Sequence, residues 1–361
     1  MNRSYTILDY LKHRFESLDP EFACPDAMDR DTYQVWHRRF VPKLRQSLGR
    51  RPDSVPLNPE KLVDLALPGI RAEKIVFDSS PAMSVPAWIL LPEDLEPGQK
   101  RPAVFLIVGH SGKNVEPHGR IVDETSGKAW GVGLNPDGSS CSTHYHNDIG
   151  QKLCRAGFIV YCQDFLGFGE RAAPPHYMRN LWTHSCNLLG QALVHFDELD
   201  LTGVHFHDLT RGLDYLQSRP DVNSGHIGMI GNSLGGMWTN LLTAVESRVQ
   251  VAVSCCSYPN FRAHMLGEKM CLCAGQTIPG MVRWTDAAAV MAAIAPRPLL
   301  MQVGKHDSGM SVQDARSSCD QVQRIYEMLG HGDRCAVDVF EGVHEIHTAT
   351  ALAWFQKWLR K

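Results

Sequence analysis

The sequence has no apolar stretch approaching the ~20 residues that a bilayer-spanning helix needs, so no membrane partner is expected. Its first residues, MNRSYTILDYLKHRFESLDP, are broken by charge every few positions and hold no apolar run of the secretory type. The expected compartment is therefore the cytoplasm. The chain also lacks any long run of lysine and arginine, and its formal net charge is −3. Such a balance creates no field suited to nucleic acid. There is no internal repeat, no low-complexity segment and no Gly/Ser-rich linker. Glycine (30) and proline (21) stand near ordinary usage, which excludes a collagen-like chain. Cys271 and Cys273 form a C-x-C without a second Cys/His pair at zinc-finger spacing, so no metal is expected there.

What is present is length and apolar content. A chain of 361 residues, 43% hydrophobic, can bury a large core in one big domain. The cysteines number eleven, an odd count, and several stand in apolar runs: Cys154, Cys162, Cys255 and Cys256. Buried free thiols in a reducing compartment fit that distribution. Composition leaves a homo-oligomer open.

Residues 1–71 read as a helical N-terminal extension, with Trp36, Phe40 and Leu44 on one face of a helix packed against the main body. From Glu73 the pattern changes to strands. KIVFDSS and VPAWILLPE read as antiparallel opening strands. RPAVFLIVGH is a continuous apolar run of the kind buried on both faces of a sheet. GFIVYCQD, HIGMIGN, VQVAVSCC, PRPLLMQVG and CAVDVFEGV repeat that signature, with helical patterns such as 191–218 and 234–247 between them. Strands alternating with helices predict an α/β fold: a mostly parallel sheet with helices on both faces, over residues 72–361. Three stretches, about 111–147, 167–187 and 258–294, lack this rhythm and read as lid-like insertions.

One turn carries chemistry. Gly231-Asn232-Ser233-Leu234-Gly235 joins the apolar strand HIGMIG to the helix LGGMWTNLLTAVE. A G-x-S-x-G between strand and helix lifts its serine out at a sharp turn, and small residues two positions away relieve the crowding. The helix N-terminus behind Ser233 also favours developing negative charge. The plainer alternative is a βα turn whose serine merely caps the helix. A nucleophilic serine needs a base, and the base needs an orienting acid. Asp307 follows the strand PRPLLMQVG and His344 follows the strand CAVDVF, so both fall at the carboxyl edge of the sheet. His306, His331 and His347 compete for the base, and Asp320 and Glu345 for the acid. An oxyanion hole would use the amide of Leu234 and one from Ser111 or Gly112, in the loop after the strand VFLIVGH.

Together these residues resemble the α/β-hydrolase superfamily over roughly residues 72–361. DFLGFGER at 164–171, IGNSLGG at 230–236 and IAPRPLL at 294–300, followed by KHD and GVHE, resemble its acetyl xylan esterase-like and dienelactone hydrolase-like branch. The resemblance implies hydrolysis of carboxylic esters, often removal of acetyl groups, by a Ser233-His344-Asp307 triad without any cofactor. Two departures stand out. Leu234 takes a place where the carbohydrate deacetylases of this branch often carry Gln, and their Arg-Gly-Gln stretch is replaced by Gly167-Phe168-Gly169-Glu170-Arg171. A small-molecule ester therefore fits better than a polymer. Rival readings are a serine peptidase of the prolyl-oligopeptidase kind, a C–C bond hydrolase, and a non-catalytic binding protein on the same scaffold.

Around the serine, Glu170 and Arg171 read either as an ion pair holding their loop or, for Arg171, as a contact to an anionic substrate. Trp182 and His110 complete the candidate substrate contacts, and Trp130, Tyr145 and Met281 are further candidates to line an apolar pocket. His144 and His146 lack a third metal ligand at convincing spacing. His205 and His207 stand two apart in a helical pattern, which predicts one inward and one outward.

Overall fold

The computed structural model describes residues 6–24, 28–107, 109, 147–171, 185–257, 260–261, 273–309 and 311–360. Two helices come first, α1 (Ile7–Glu16) and α2 (Arg30–Ser47). Asp29 starts α2 by accepting the Thr32 N–H at 2.8 Å. The spacing of Trp36, Phe40 and Leu44 puts them on one helix face, where Trp36 stacks on Phe40 at 4.6 Å and Phe40 and Leu44 are fully buried. The Tyr33 hydroxyl donates to the carbonyls of Ala292 and Ala295, and Arg45 donates to that of Val245. These bonds tie α2 to the body of the protein.

The expected helical stretch 1–71 is shorter than its sequence suggested. β1 (Glu60–Leu67) already belongs to the sheet and pairs with β2 (Ile70–Ser80), so strands begin at Glu60 and not at Glu73. The tight turn Pro68-Gly69, with Gly69 at φ 77°, is the hairpin signal that marks this junction. β1 escapes a periodicity argument because it is an edge strand with little buried surface. Its charges Glu60, Lys61 and Asp64 suit an edge that must not pair with another chain.

The remaining strands fall where the apolar runs predict them. In chain order they are β3 (Met83–Pro92), β4 (Arg101–Ile107), β5 (Ile159–Gln163), β6 (Val222–Asn232), β7 (Val249–Cys255), β8 (Leu299–Gly304) and β9 (Cys335–Phe340). The helices between and after them are α3 (Ile149–Arg155), α4 (Ser185–Asp197), α5 (Leu201–Ser218), α6 (Leu234–Val245), α7 (Ala287–Ala292), α8 (Val312–Met328) and α9 (Thr348–Trp358). The helical pattern 191–218 is thus split between α4 and α5, with Glu198 at φ 55° in the break. Strand order is β1-β2-β3-β5-β4-β6-β7-β8-β9. The first three strands and β5 pair antiparallel, whereas β5-β4-β6-β7-β8-β9 are parallel throughout. This is the expected helix-covered, mostly parallel sheet. Ala103, Val104, Phe105, Leu106 and Ile107 of β4 are buried, as a strand covered on both faces requires.

Parallel strands end on the same side. The turns after β6, β8 and β9 therefore gather at one edge of the sheet, which sets up the site described next. Among the described residues, no helix is long and apolar enough to cross a membrane. The eight described cysteines, Cys24, Cys154, Cys162, Cys255, Cys256, Cys273, Cys319 and Cys335, are buried and outside any disulfide.

Phe40 joins Trp36, Phe22 and Trp284 in one aromatic cluster. Phe40→Ala is expected to cost about 3–5 kcal/mol of stability, read as a lower midpoint in urea unfolding. An unchanged midpoint would show that α2 contributes little to the core.

Candidate active site

β6 passes into α6 through a single residue. Ser233 stands between Asn232, the last residue of the strand, and Leu234, the first of the helix. Its backbone holds φ 61° and ψ −121°, a conformation L-residues seldom adopt and which costs about 1–3 kcal/mol. Two backbone bonds hold it there: Ser233 N–H donates to Cys255 C=O, and Ser233 C=O accepts from Met237 N–H, both at 3.0 Å. A serine serving only as a helix cap would accept an amide from the first turn, and the Ser233 side chain makes no such bond.

The glycines are a matter of space. A Cβ on Gly231 would lie 2.3 Å from the carbonyl oxygen of Gly235, so only glycine lets the strand and the helix approach this closely. Gly109, just beyond β4, is equally crowded: its Cβ would lie 2.6 Å from the Asn232 carbonyl and 3.4 Å from Cβ of Ser233. The chain leaving β4 thus passes directly against the turn. His110, Ser111 and Gly112 follow at once, and lie outside the described residues. The Leu234 amide opens α6, where free N–H groups favour negative charge.

Asp307 and His344 meet at the same edge. His344 Nδ1 lies 2.8 Å from Asp307 Oδ2, and Gly309 N–H donates to Asp307 Oδ1 at 2.7 Å. The loops bearing them are laced together, since Lys305 N–H donates to Phe340 C=O and His306 N–H to Gly342 C=O. Burial pushes the Asp307 acid up, but the His344 hydrogen bond and charge and the Gly309 amide outweigh it and hold the carboxyl below its ordinary value. The imidazole remains partly exposed. Cys255, whose carbonyl holds Ser233, is followed by Cys256, whose thiol reaches the carbonyls of Val343 and Glu345 on either side of His344.

The rival groups are engaged elsewhere. His306 is exposed and pairs with Glu341. His347 pairs with Asp338 at 2.8 Å and stacks on Phe340. His331 stands before the turn Gly332–Arg334. Asp320 is exposed on α8, and Glu345 accepts from Asn147 Nδ2 at 2.8 Å. Among the described residues, Cys256, Asp307 and His344 are also the group able to approach a metal, with ligand atoms within 4.8 Å of one another. Ligation would need a thiolate and a bare ring nitrogen. Burial pushes the Cys256 thiol up to about 12, and the His344 Nδ1 faces a carboxylate, so these groups suit a hydrogen-bonded chain better.

Three expectations are corrected. Arg171 turns inward: its Nη1 lies 2.8 Å from Asp208 Oδ2, with both side chains buried, and also donates to Asp164 C=O. A guanidinium so committed is not available to an anionic substrate. The Glu170–Arg171 pair is likewise not formed, because Glu170 meets Lys74. His205 and His207 are both buried, their Nε2 atoms against Leu166 C=O and Ser79 C=O, since α5 is enclosed from Leu201 to Leu209. Met281 lies in the core. Trp130, His144, Tyr145, His146 and Trp182 lie outside the described residues.

Two contributors went unread in the sequence. Gln302 is buried in β8, where its Nε2 donates to Asp338, His347 C=O and Thr350, and its Oε1 accepts from Cys255 Sγ and the His347 N–H. It pins the chain three residues beyond His344. A lone amide in the apolar run LLMQVG was its signal. Cys256 resembled any apolar thiol, and its φ of 42° had no sequence signature.

Two outcomes follow. Because the Asp307 pKa is depressed on folding, its contribution to stability is complete above its ordinary value of 3.8 and is lost as pH falls through the lower folded value. Urea unfolding from about pH 5 to pH 2 should show a shallower decline for Asp307→Asn than for the parent. Arg171→Ala would strand the buried Asp208 carboxylate and should cost about 3–5 kcal/mol, with KM for acidic and neutral esters moving together. A KM increase confined to acidic esters would restore the substrate-contact reading.

Comparison with known proteins agrees with this architecture. The model of the Abhydrolase family matches residues 3–348. YtaP of Bacillus subtilis (strain 168), named as a hydrolase, is 26% identical over 331 residues, spanning 88% of this chain and 98% of its own. A Bacteroides fragilis NCTC 9343 protein, named as an acetyl xylan esterase, superposes with a TM-score of 0.76 at 16% identity, covering 99% of this chain and 96% of its own. A glucuronoyl esterase from Solibacter usitatus gives a TM-score of 0.61 at 13% identity, with 98% of both chains covered. The chain belongs to the Abhydrolase family and is an enzyme with the α/β-hydrolase fold.

Proposed function

We propose that this enzyme hydrolyses small carboxylic esters through an acyl-enzyme on Ser233. The observation that carries the reading is the 2.8 Å Asp307–His344 contact at the sheet edge where Ser233 occupies its strained turn. Asp307 accepts a hydrogen bond from the Nδ1–H of His344, which leaves Nε2 with its lone pair as the base. The tautomer follows from that partner. His344 takes the Ser233 proton as the oxygen attacks the ester carbonyl. The oxyanion is met by the Leu234 amide at the start of α6 and by an amide of Ser111 or Gly112. His344 then protonates the departing alcohol, and the same nitrogen draws a proton from the water that frees the acid.

The acyl group is proposed to be small, with acetyl the first choice. Support comes from the structural neighbours named as acetyl xylan and glucuronoyl esterases. Leu234 stands where the carbohydrate deacetylases of the branch this chain resembles often carry Gln, a departure that favours a free small ester over a polysaccharide chain.

Purified enzyme should turn over p-nitrophenyl acetate faster than longer-chain esters and peptidyl amides. Ser233→Ala should lower kcat by about 10⁴-fold or more. A fluorophosphonate should label the parent at Ser233 and leave Ser233→Ala unlabelled. Undiminished ester turnover by Ser233→Ala, or no labelling of the active parent, would rule the serine mechanism out. Labelling with turnover of amides alone would move the assignment to a peptidase.

A further inference from the structure

We propose that Cys256 is a positioning residue for the Asp307–His344 pair, its protonated thiol acting as a fixed donor that sets the imidazole against the carboxylate. The inference rests on the ester-hydrolase reading above. Four observations carry it. Cys256 stands one residue past β7 with φ 42°, a strained backbone for a residue with a Cβ. The residue is fully buried, and its N–H is bound to Gln302 C=O at 2.9 Å. Its Sγ lies 3.5 Å from Glu345 C=O and 3.8 Å from Val343 C=O, the residues flanking His344. The Asp307 carboxylate and the His344 ring stand beside it, with Sγ, carboxylate oxygen and ring nitrogen all within 4.8 Å of one another.

The strain has a purpose in this arrangement. Extended backbone at residue 256 would continue the alternation of β7 and carry the side chain elsewhere. The left-handed turn brings the thiol between the acid and the histidine loop. The adjacent residue, Cys255, holds the Ser233 amide, so one dipeptide spans from the nucleophile to the acid–base pair. Burial holds the thiol protonated up to about pH 12, so it works as a neutral donor and not as a nucleophile.

Other charged groups around this point are already matched. Glu345 faces Asn147, His347 faces Asp338, and His306 faces Glu341, which leaves Asp307 and His344 as the titratable groups beside the thiol. The thiol's hold on the carbonyls either side of His344 keeps the ring against Asp307. Without it the Asp307–His344 contact loosens, and the carboxylate supports a positive charge on the ring less well.

The test compares Cys256→Ala and Cys256→Ser with the parent on p-nitrophenyl acetate, using fluorophosphonate titration to count active sites. Cys256→Ala should lower kcat per active site by about tenfold with KM within about twofold, and should move the acid limb of kcat/KM down by about half a pH unit. Cys256→Ser, which keeps a donor, should restore most of both. In proton NMR the downfield His344 Nδ1–H signal should shift in Cys256→Ala and return towards the parent position in Cys256→Ser. The proposal is overturned if Cys256→Ala keeps the parental limb and NMR signal, whatever its kcat, or if Cys256→Ser shifts them as far as Ala does. Should Cys256→Ala fail to fold, Cys256→Val takes its place with the same readouts. A parent that takes no fluorophosphonate would sink the serine mechanism itself, a result distinct from any of these.

Discussion

Ser233 holds a backbone conformation that no side-chain-bearing residue prefers, and the rest of the edge is organised around keeping it there. The strain of one residue is small beside the stability of a domain, but it persists only where its surroundings leave no alternative. Here the buried strand β6 and the buried helix α6 fix both ends of the turn. Cys255 C=O takes the Ser233 N–H, and Gly231 and Gly109 remove the Cβ atoms that would push strand, helix and the preceding loop apart. The result is a hydroxyl held at a helix N-terminus on rigid elements, which is where preorganisation is most effective.

The same economy of parts runs through the Asp307–His344 pair. Parallel strands deliver the loops after β8 and β9 to one edge, and hydrogen bonds between those loops bring Asp307 to His344. Beneath them Gln302 gathers Asp338, His347 and Thr350 into one buried polar cluster that fixes the chain just past His344. A buried polar network is costly when incomplete and rigid when satisfied. Its place here is under the loop that carries His344.

Much of this was legible in the sequence because it is written in short windows. Apolar runs mark each inner strand, and G-x-S-x-G between a strand and a helix marks the turn. The strands preceding Asp307 and His344 place both residues at the carboxyl edge. What stayed hidden depends on partners far away in the chain. Arg171 read from its window offers only Glu170 or a substrate as partner, and only the fold supplies Asp208. His205 and His207 seemed to alternate between core and solvent, but α5 is enclosed on both sides. β1 hid because an edge strand buries too little to impose an apolar period. Cys256 hid because a left-handed backbone leaves no mark in residue types.

The central claim is that the hydroxyl presented at the β6–α6 turn carries the acyl group during turnover. Acid quenching during steady-state hydrolysis of p-nitrophenyl acetate, followed by peptide mass spectrometry, tests it most directly. The account predicts one acetyl group per chain, on the peptide containing Ser233. Steady turnover with Ser233 unmodified, or with the acetyl group on another residue, would contradict it.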